Sequence, residues 1–262
     1  MAGRRTLHEK RGWAFTTAVG ILKPALTLAT RRDWHGGEHI PAGGGCVLAV
    51  NHVSHLDPLT FAHFVYDQGR LPRYLAKTEV FAIPFAGRIV RASGQIPVAR
   101  LTSTASDAFT AAVDAVRDGK LVIVYPEGTL TRDPGLWPMV GKTGAARIAL
   151  ATGCPVVPVA QWGTQQILAP YATKFDLVPR KTVTVRAGAP VDLTAYDGAQ
   201  PTPAVLRAAT EDIMTAITDL LEEIRGERAP AERFDPRRAG VREIGNPHGP
   251  DGSDKKTRRK RR

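Results

Sequence analysis

The sequence has few cysteines, few aromatic residues and no obvious membrane span. Only Cys46 and Cys154 occur among 262 residues, each in an apolar run, which argues against a disulfide framework and favours a reducing compartment. Apolar residues make up 43% and aromatic residues 6% of the chain, as in a globular protein with one core. The first apolar stretch, Trp13–Ala29, lacks a signal-peptide cleavage pattern and is interrupted by Lys23 and Pro24. We therefore expect neither a secretory signal nor a spanning helix here.

The charge of the chain is strongly unbalanced. The formal net charge is +11, which favours phosphate-rich partners such as anionic lipid, nucleic acid or phosphorylated metabolites. Basic residues flank the apolar stretch, so residues 1–35 are predicted to form an amphipathic helical segment at an anionic membrane surface. A helix that simply packs on the domain is the alternative. Residues 227–262 lose apolar residues and gain proline, glycine and charge, which predicts a disordered basic tail.

The middle of the chain, residues 36–226, alternates strand and helix patterns. Short apolar or alternating runs predict strands at 46–50, 121–125, 156–160 and 182–186. Periodic apolar residues predict helices at 59–66, 106–117, 143–151 and 204–225. We expect an α/β domain whose central, mostly parallel sheet is covered by helices.

The densest polar cluster is NHVSHLDP, residues 51–58, between a predicted strand and a predicted helix. Active sites of open α/β sheets collect at the carboxyl ends of strands. His52 and Asp57 are five positions apart and would not share a helical face, so only a turn can bring the imidazole to the carboxylate. Such a pair would make His52 a general base. The alternative is a capped turn with His55 packed in the core.

Three further clusters carry charge or strand-ending loops. YPEGTLTRD, residues 125–133, follows the strongest strand and offers backbone NH groups to an anion. In it, Glu127 is better suited to organising basic side chains or backbone than to binding phosphate directly. GKTGAAR places Lys142 at the start of a helix, and SGQIPVAR ends in Arg100, which could reach into a cleft. CPVVPVA, which begins at Cys154, is predicted to be an apolar strand that is structural or lines the wall of the site rather than catalytic.

Taken in order, these clusters resemble the four sequence blocks of the glycerophospholipid acyltransferase family, in particular the 1-acylglycerol-3-phosphate (lysophosphatidic acid) acyltransferases. NHVSHLD is similar to the first block, GQIPVAR to the second, YPEGTLTR to the third and VVPVA to the fourth. The resemblance implies that His52 is the general base and that Asp57 orients it. It also implies a substrate phosphate site, for which the candidate residues are Lys77, Arg100, Glu127, Gly128, Thr129 and Arg132.

The resemblance implies an acyl transfer to a lysolipid acceptor at the cytoplasmic face of the cell membrane. The acyl donor is expected to be acyl-CoA or acyl-carrier protein, and no cofactor or metal is expected. One residue departs from the family pattern: Leu130 stands where an arginine usually follows the Gly-Thr of the third block. The departure leaves glycerol 3-phosphate or another lysolipid open as the acceptor, and Arg132 is the candidate replacement.

Two features of the sequence could indicate functions other than acyl transfer. His52, His55 and Asp57 superficially resemble the ligands of a metallohydrolase, but after His63 the next histidine is His248, which leaves too few ligands for a closed site. The basic tail could bind nucleic acid through phosphates, but no recognition motif accompanies it. We expect anionic membrane lipid rather than nucleic acid as the partner of the tail.

Overall fold

The structure, a computed structural model, describes residues 5–7, 9–98 and 105–242. Its seven strands form one sheet in the order β1-β7-β6-β2-β5-β3-β4, and all neighbours are parallel except β6 and β7. The expected α/β class with a mostly parallel sheet is confirmed. The strands are β1 (Thr30–His35), β2 (Cys46–Val50), β3 (Arg73–Lys77), β4 (Ile96–Val98), β5 (Leu121–Val124), β6 (Val156–Trp162) and β7 (Lys181–Ala187).

Eight α-helices are found in the described residues. They are α1 (Trp13–Ala29), α2 (Asp57–Asp67), α3 (Thr78–Phe81), α4 (Ala86–Ala92), α5 (Ala105–Arg117), α6 (Gly144–Thr152), α7 (Thr164–Ile167) and α8 (Pro203–Arg225). The ends of α8 show why the sequence pattern locates helices well. The Thr202 hydroxyl caps its first turn by accepting from the Val205 NH, and Gly226 ends it in a left-handed conformation.

The central strands are buried on both faces, which explains their continuous apolar runs. Every residue of β2 and β5 is buried. One apolar cluster packs the sheet against α5, α6 and α8, and a second cluster on the other face includes residues of α2. The sheet is therefore the middle layer of three.

Three strands escape sequence-based prediction because they lack such runs. β3 and β4 lie towards one edge of the sheet, and β1 is the opposite edge strand, with the mostly polar sequence TRRDWH. Arg31 and Arg32, which were expected to flank a membrane helix, belong to β1. Residues 30–35, predicted as part of the interfacial segment, thus complete the sheet.

The strand directions place several chain segments at one edge of the sheet, here called the carboxyl edge. β2, β5 and β6 are parallel and end there. Because β7 is antiparallel to β6, with Thr184 opposite Trp162, β7 begins at this edge. β1 begins beside it, with Thr30 opposite Lys181, so α1 also ends there.

Helix α1 packs on the sheet domain, with its charged side chain facing the domain and several apolar side chains facing outward. It packs against α2 and α4, and its only charged residue, Lys23, faces inward to form an ion pair with Asp67. Its outward side carries Trp13, Ile21 and Leu28. The expected division into an apolar and a polar face is not seen. No helix of the described residues is long and apolar enough to cross a membrane.

The segment after α8 differs from the predicted disorder as far as it is described. In residues 227–242, the Phe234 carbonyl accepts a hydrogen bond from the Val140 NH, and Arg233 forms an ion pair with Glu211 of α8. Residues 243–262 lie outside the described part of the chain, so the predicted disorder of the basic end stays a prediction.

Candidate active site

The turn between β2 and α2 brings His52 and Asp57 together. Nδ1 of His52 lies 2.8 Å from Oδ2 of Asp57, the first residue of α2. Val53 and Ser54 donate their backbone NH groups to the same Oδ2 at 2.7 and 2.9 Å. The turn therefore folds around the carboxylate, as the five-residue spacing requires. His55, the alternative core histidine, instead contacts the ring edge of Tyr171.

The carboxylate of Asp57 is completely buried, and its second oxygen is also used. Oδ1 accepts a 2.5 Å hydrogen bond from the hydroxyl of Thr164, at the start of α7. Gly163, just before it, has φ of 104°, and a Cβ there would stand 2.0 Å from the Thr182 carbonyl oxygen. Only glycine therefore lets the chain turn from β6 into α7 and deliver the threonine to Asp57.

The imidazole of His52 is held from a second direction by Tyr125. The two rings stack with centroids 4.1 Å apart, and the ring of Tyr74 in turn stacks with Tyr125 at 6.0 Å. The side chain of His52 remains 14% exposed. Because Nδ1 faces Asp57, Nε2 is the ring nitrogen left for a substrate.

Glu127 joins the two loops of the site from within the core. Its Oε1 accepts from the backbone NH of His52 and its Oε2 from the NH of Met139, both at 3.0 Å. Burial raises the pKa of Glu127 to about 8, although both backbone hydrogen bonds act in the opposite direction. Both carboxylate oxygens thus bind backbone, as an organising residue would, and the place of Glu127 in the substrate phosphate site stays a prediction.

A pair of amides ties the ends of β2 and β6 together beside the turn. The Asn51 side chain donates to the Gln161 carbonyl and accepts from the Gln161 NH, and the Gln161 side chain donates to the Asn51 carbonyl. All the participating groups are buried. This exchange fixes the origin of the turn that carries His52.

The third block forms a tight loop at the carboxyl edge. Gly128 has φ of 69°, and a Cβ at this position would lie 3.2 Å from Nζ of Lys142. The Lys142 ammonium thus stands over the Gly128 backbone, where an anion could meet both. Thr129 is half-buried in the same loop, whereas Leu130, which stands in place of the expected arginine, is fully buried.

The remaining phosphate candidates are placed unevenly. Arg132 is half-buried, with its guanidinium 5.9 Å from the ring centroid of Tyr171. Lys77 ends β3, and its side chain is outside the description. Arg100 lies outside the described residues. The structure therefore groups Gly128, Thr129 and Lys142 in one region and leaves the roles of the other basic candidates as predictions.

Sequence reasoning missed Thr164 and Gln161 as parts of this site, and it gave no role to Asn51 or Tyr125, although both lie in the clusters that it identified. The signal for Thr164 was present, because the Gly-Thr directly follows a buried strand and so falls at the carboxyl edge. Its pairing with Asp57, over 107 positions of sequence, could not be read from the chain.

Neither thiol is suited to nucleophilic attack. Burial raises the pKa of Cys46 to about 12 and also raises that of Cys154. Among the described residues no group of three or more His, Cys, Asp or Glu is arranged to hold a metal. His52 therefore remains the candidate for the reactive group of the site.

Comparisons with known proteins point in one direction. The family model described as Acyltransferase matches residues 31–162, from β1 to the end of β6. Three relatives are each called 1-acyl-sn-glycerol-3-phosphate acyltransferase. The chloroplastic protein of Brassica napus is 34% identical over 140 residues (53% of this chain, 39% of that protein). The Borreliella burgdorferi protein is 32% identical over 130 residues (49% and 50%), and the Bacillus subtilis protein 30% over 148 (55% and 69%).

A solved structure shares the fold. The crystal structure of a 1-acyl-sn-glycerophosphate acyltransferase from Thermotoga maritima matches with a TM-score of 0.60 and 24% identity, covering 82% of this chain and 81% of that one. The alignments span half or less of the first two relatives' own length.

Proposed function

This chain belongs to the acyltransferase family, and on that premise we propose that it moves a fatty acyl group to the sn-2 hydroxyl of 1-acylglycerol 3-phosphate, forming phosphatidic acid. The donor is the thioester of acyl-CoA or acyl-carrier protein. The observation that carries the proposal is the 2.8 Å contact of His52 Nδ1 with a buried carboxylate at the carboxyl edge of the sheet. The names of the relatives support the choice of acceptor.

The reaction needs one base and one acid, and His52 serves as both. Nδ1 donates its hydrogen to Asp57, which leaves the Nε2 lone pair free to take the proton of the acceptor hydroxyl. The acceptor oxygen attacks the thioester carbonyl, and the carbon–sulfur bond breaks as the tetrahedral intermediate collapses. The imidazolium then returns its proton to the departing thiolate. No covalent acyl-enzyme is needed, in keeping with the raised thiol pKa values.

The phosphate of the acceptor is proposed to bind beside the Gly128 loop. The left-handed Gly128 turn and the Lys142 ammonium meet there, and Thr129 adds a hydroxyl. Arg100 and Lys77 join this site by the family resemblance, and Arg132 replaces the arginine missing at Leu130.

The enzyme is proposed to work on the cytoplasmic surface of the cell membrane as a peripheral protein. Its acceptor and product are lipids, and the outward side of α1 carries apolar residues without a charge. A helix that is apolar on both sides is normally covered on both sides. The protein covers one side of α1, and the membrane would cover the other.

The test is transfer by the purified full chain from labelled acyl-CoA or acyl-carrier protein to a panel of acceptors, with the lipids then separated. We expect labelled phosphatidic acid from 1-acylglycerol 3-phosphate, and a loss of about 100-fold or more in turnover for His52→Ala. Circular dichroism should show the variant folded. Wild-type turnover in folded His52→Ala would refute the proposed base.

The acceptor panel also tests the alternative raised by Leu130. Without the usual arginine, the site loses a charged hydrogen bond that contributes about 1.5 to 3 kcal/mol when nothing replaces it. Glycerol 3-phosphate and a lysolipid with a larger headgroup are therefore included. Faster transfer to either would assign the chain a different acceptor while leaving the acyl transfer intact.

A further inference from the structure

A short turn between α3 and α4 exposes large apolar side chains. In this apolar turn, residues 82–85, Ile83 is 50% and Phe85 88% exposed. Phe85 also has φ of 60° with ψ of −55°, and bulky residues rarely adopt a positive φ. An aromatic side chain held outward at an energetic cost is difficult to explain by the stability of the domain alone.

The apolar turn stands at the same edge of the sheet as the catalytic pair. β3 is parallel to β5, so it ends at the carboxyl edge, and α3 and the turn follow it directly. Helix α4, which begins at the end of the turn, packs against α1. The turn therefore leads directly into a helix that contacts α1.

A second exposed segment borders the C-terminal end of α1. In this apolar loop, residues 175–178, Phe175, Leu177 and Val178 are exposed. The loop belongs to the connection from β6 to β7, both of whose facing ends are at the carboxyl edge. Arg180 joins this connection to the end of α1 and the start of β1 by donating to the carbonyl oxygens of Thr27 and Thr30. Leu28, between them, is 78% exposed.

Two arginines give the surface around the apolar turn a positive charge. Arg88 and Arg91 are exposed on α4 and, with Phe81, Ile83 and Phe85, line a surface cavity of about 410 Å³. Arg91 donates to the Phe81 carbonyl, which holds its guanidinium at the base of the turn. The turn and α4 contain no acidic residue. A second copy of the same surface would face it with like charges, whereas anionic headgroups complement it.

We propose that the apolar turn, the outward side of α1 and the apolar loop together form one membrane-docking surface, with the turn inserted below the headgroups and Arg88 and Arg91 bound to lipid phosphates. The occupant is a leaflet that contains anionic phospholipid. The inference rests on the proposed membrane enzyme and extends it, because it makes the membrane contact a surface of three segments around the active-site edge. Lipid acceptors would then enter sideways from the leaflet towards His52.

Sedimentation of the full chain with vesicles tests the surface. The vesicles are phosphatidylcholine alone, or phosphatidylcholine with phosphatidylglycerol. Ile83→Ser with Phe85→Ser should lower partition into both kinds by about tenfold or more, because two apolar side chains lose their burial. Arg88→Ala with Arg91→Ala should lower partition into anionic vesicles by about thirtyfold, since each arginine near such a leaflet contributes about fivefold, and should change neutral vesicles little.

Matched variants control for general losses of apolar surface or charge. Val140→Ser removes an exposed apolar residue outside the three segments, and Arg117→Ala with Arg207→Ala removes two exposed charges elsewhere. Both should bind vesicles like the wild type. Equal effects of the control and test variants would overturn the surface, as would unchanged partition of the Ile83/Phe85 variant.

Acyl transfer to a short-chain, water-soluble acceptor separates this inference from the proposed function. The Ile83/Phe85 variant should keep wild-type turnover in solution while losing vesicle binding. If the wild type shows no transfer but the variants still lose binding, the proposed function fails and the surface stands. Sedimentation velocity without lipid measures whether the wild type and the Ile83/Phe85 variant are dimers. A wild type that is a dimer and a variant that is a monomer, with unchanged vesicle binding, would assign the surface to a second copy and overturn the proposal.

Discussion

At the residue scale, the buried carboxylate of Asp57 is oriented by hydrogen bonds from other residues in addition to its contact with His52. Two backbone NH groups hold Oδ2, and the hydroxyl of Thr164 holds Oδ1. The carboxylate can therefore rotate only by breaking hydrogen bonds that water cannot replace in the core. In the proposed mechanism, Thr164 therefore acts through Asp57 as a positioning residue for His52.

Thr164→Val should lower kcat by about tenfold, since it removes one hydrogen bond to a charged group. The KM for the acceptor should change little, and Thr164→Ser should restore most of the turnover. Steady-state kinetics on the three proteins measure this. Thr218→Val is the matched control, because it removes a buried hydroxyl that serves only the carbonyl of Met214 in α8. An equal kcat for Thr164→Val and the wild type would show that Thr164 does not position Asp57 and His52 for the reaction.

The His52–Asp57 contact could be predicted from sequence because both residues belong to one turn. Five positions and a strand-to-helix junction allow few conformations, and the structure adopts one that makes the contact. Thr164 could not be assigned in the same way, because its contact depends on β2 and β6 being neighbours in the sheet. Arg100 and the side chain of Lys77 are outside the described structure, so their roles stay predictions.

At the element scale, Glu127 fastens the loop after β5 to the turn after β2. Its two oxygens hold the His52 and Met139 NH groups, and the Thr131 NH adds a bond to the His52 carbonyl at 2.7 Å. The raised pKa of about 8 gives this connection a pH dependence. An unfolded glutamate releases its proton near pH 4.5, whereas the folded one keeps it to about pH 8. The folded state therefore binds more protons in that window.

Between about pH 5 and pH 8 the free energy of unfolding of the wild type should fall with rising pH, by up to about 1.4 kcal/mol per pH unit from this group. Glu127→Gln has no such proton, so its stability should change less across the window. Urea unfolding at several pH values measures the difference in slope. Glu38→Gln, at an exposed glutamate, should keep the wild-type slope. The same slope in Glu127→Gln would show that burial does not raise this pKa.

The strands and helices that were predicted are those whose buried residues form a continuous or periodic apolar pattern in the sequence. β2 and the helices α5 and α8 begin and end within one residue of the predicted bounds, since continuous apolar runs and regular apolar stripes record burial on two faces or one. β1, β3 and β4 leave no such trace, because they are short or lie near an edge. The antiparallel direction of β7 depends on the length and path of the loop before it, which no local pattern encodes.

At the scale of the whole molecule, the net charge of +11 is not spread evenly along the chain. Seven of the last eight residues, 255–262, are lysine or arginine. Residues 227–242 make contacts with α8 and with the backbone of Val140. A truncation that removes the basic end should therefore be made after Arg242. Such a deletion leaves the contacts of the described chain in place. The truncation then tests the charge of the tail and not the integrity of the domain.

Deleting residues 243–262 should lower partition into anionic vesicles by about tenfold or more at low salt, because basic residues near such a surface each contribute about 1 kcal/mol. The loss should shrink as salt rises, since exposed charges are screened over about 10 Å at 0.1 M ionic strength. Binding to neutral vesicles, which depends on the apolar segments, should not change. Retention on non-specific DNA is measured in parallel, since the same charges would bind phosphates of either kind. Unchanged vesicle binding with lost DNA retention would show that the tail serves nucleic acid, and that the membrane is held by the folded domain alone.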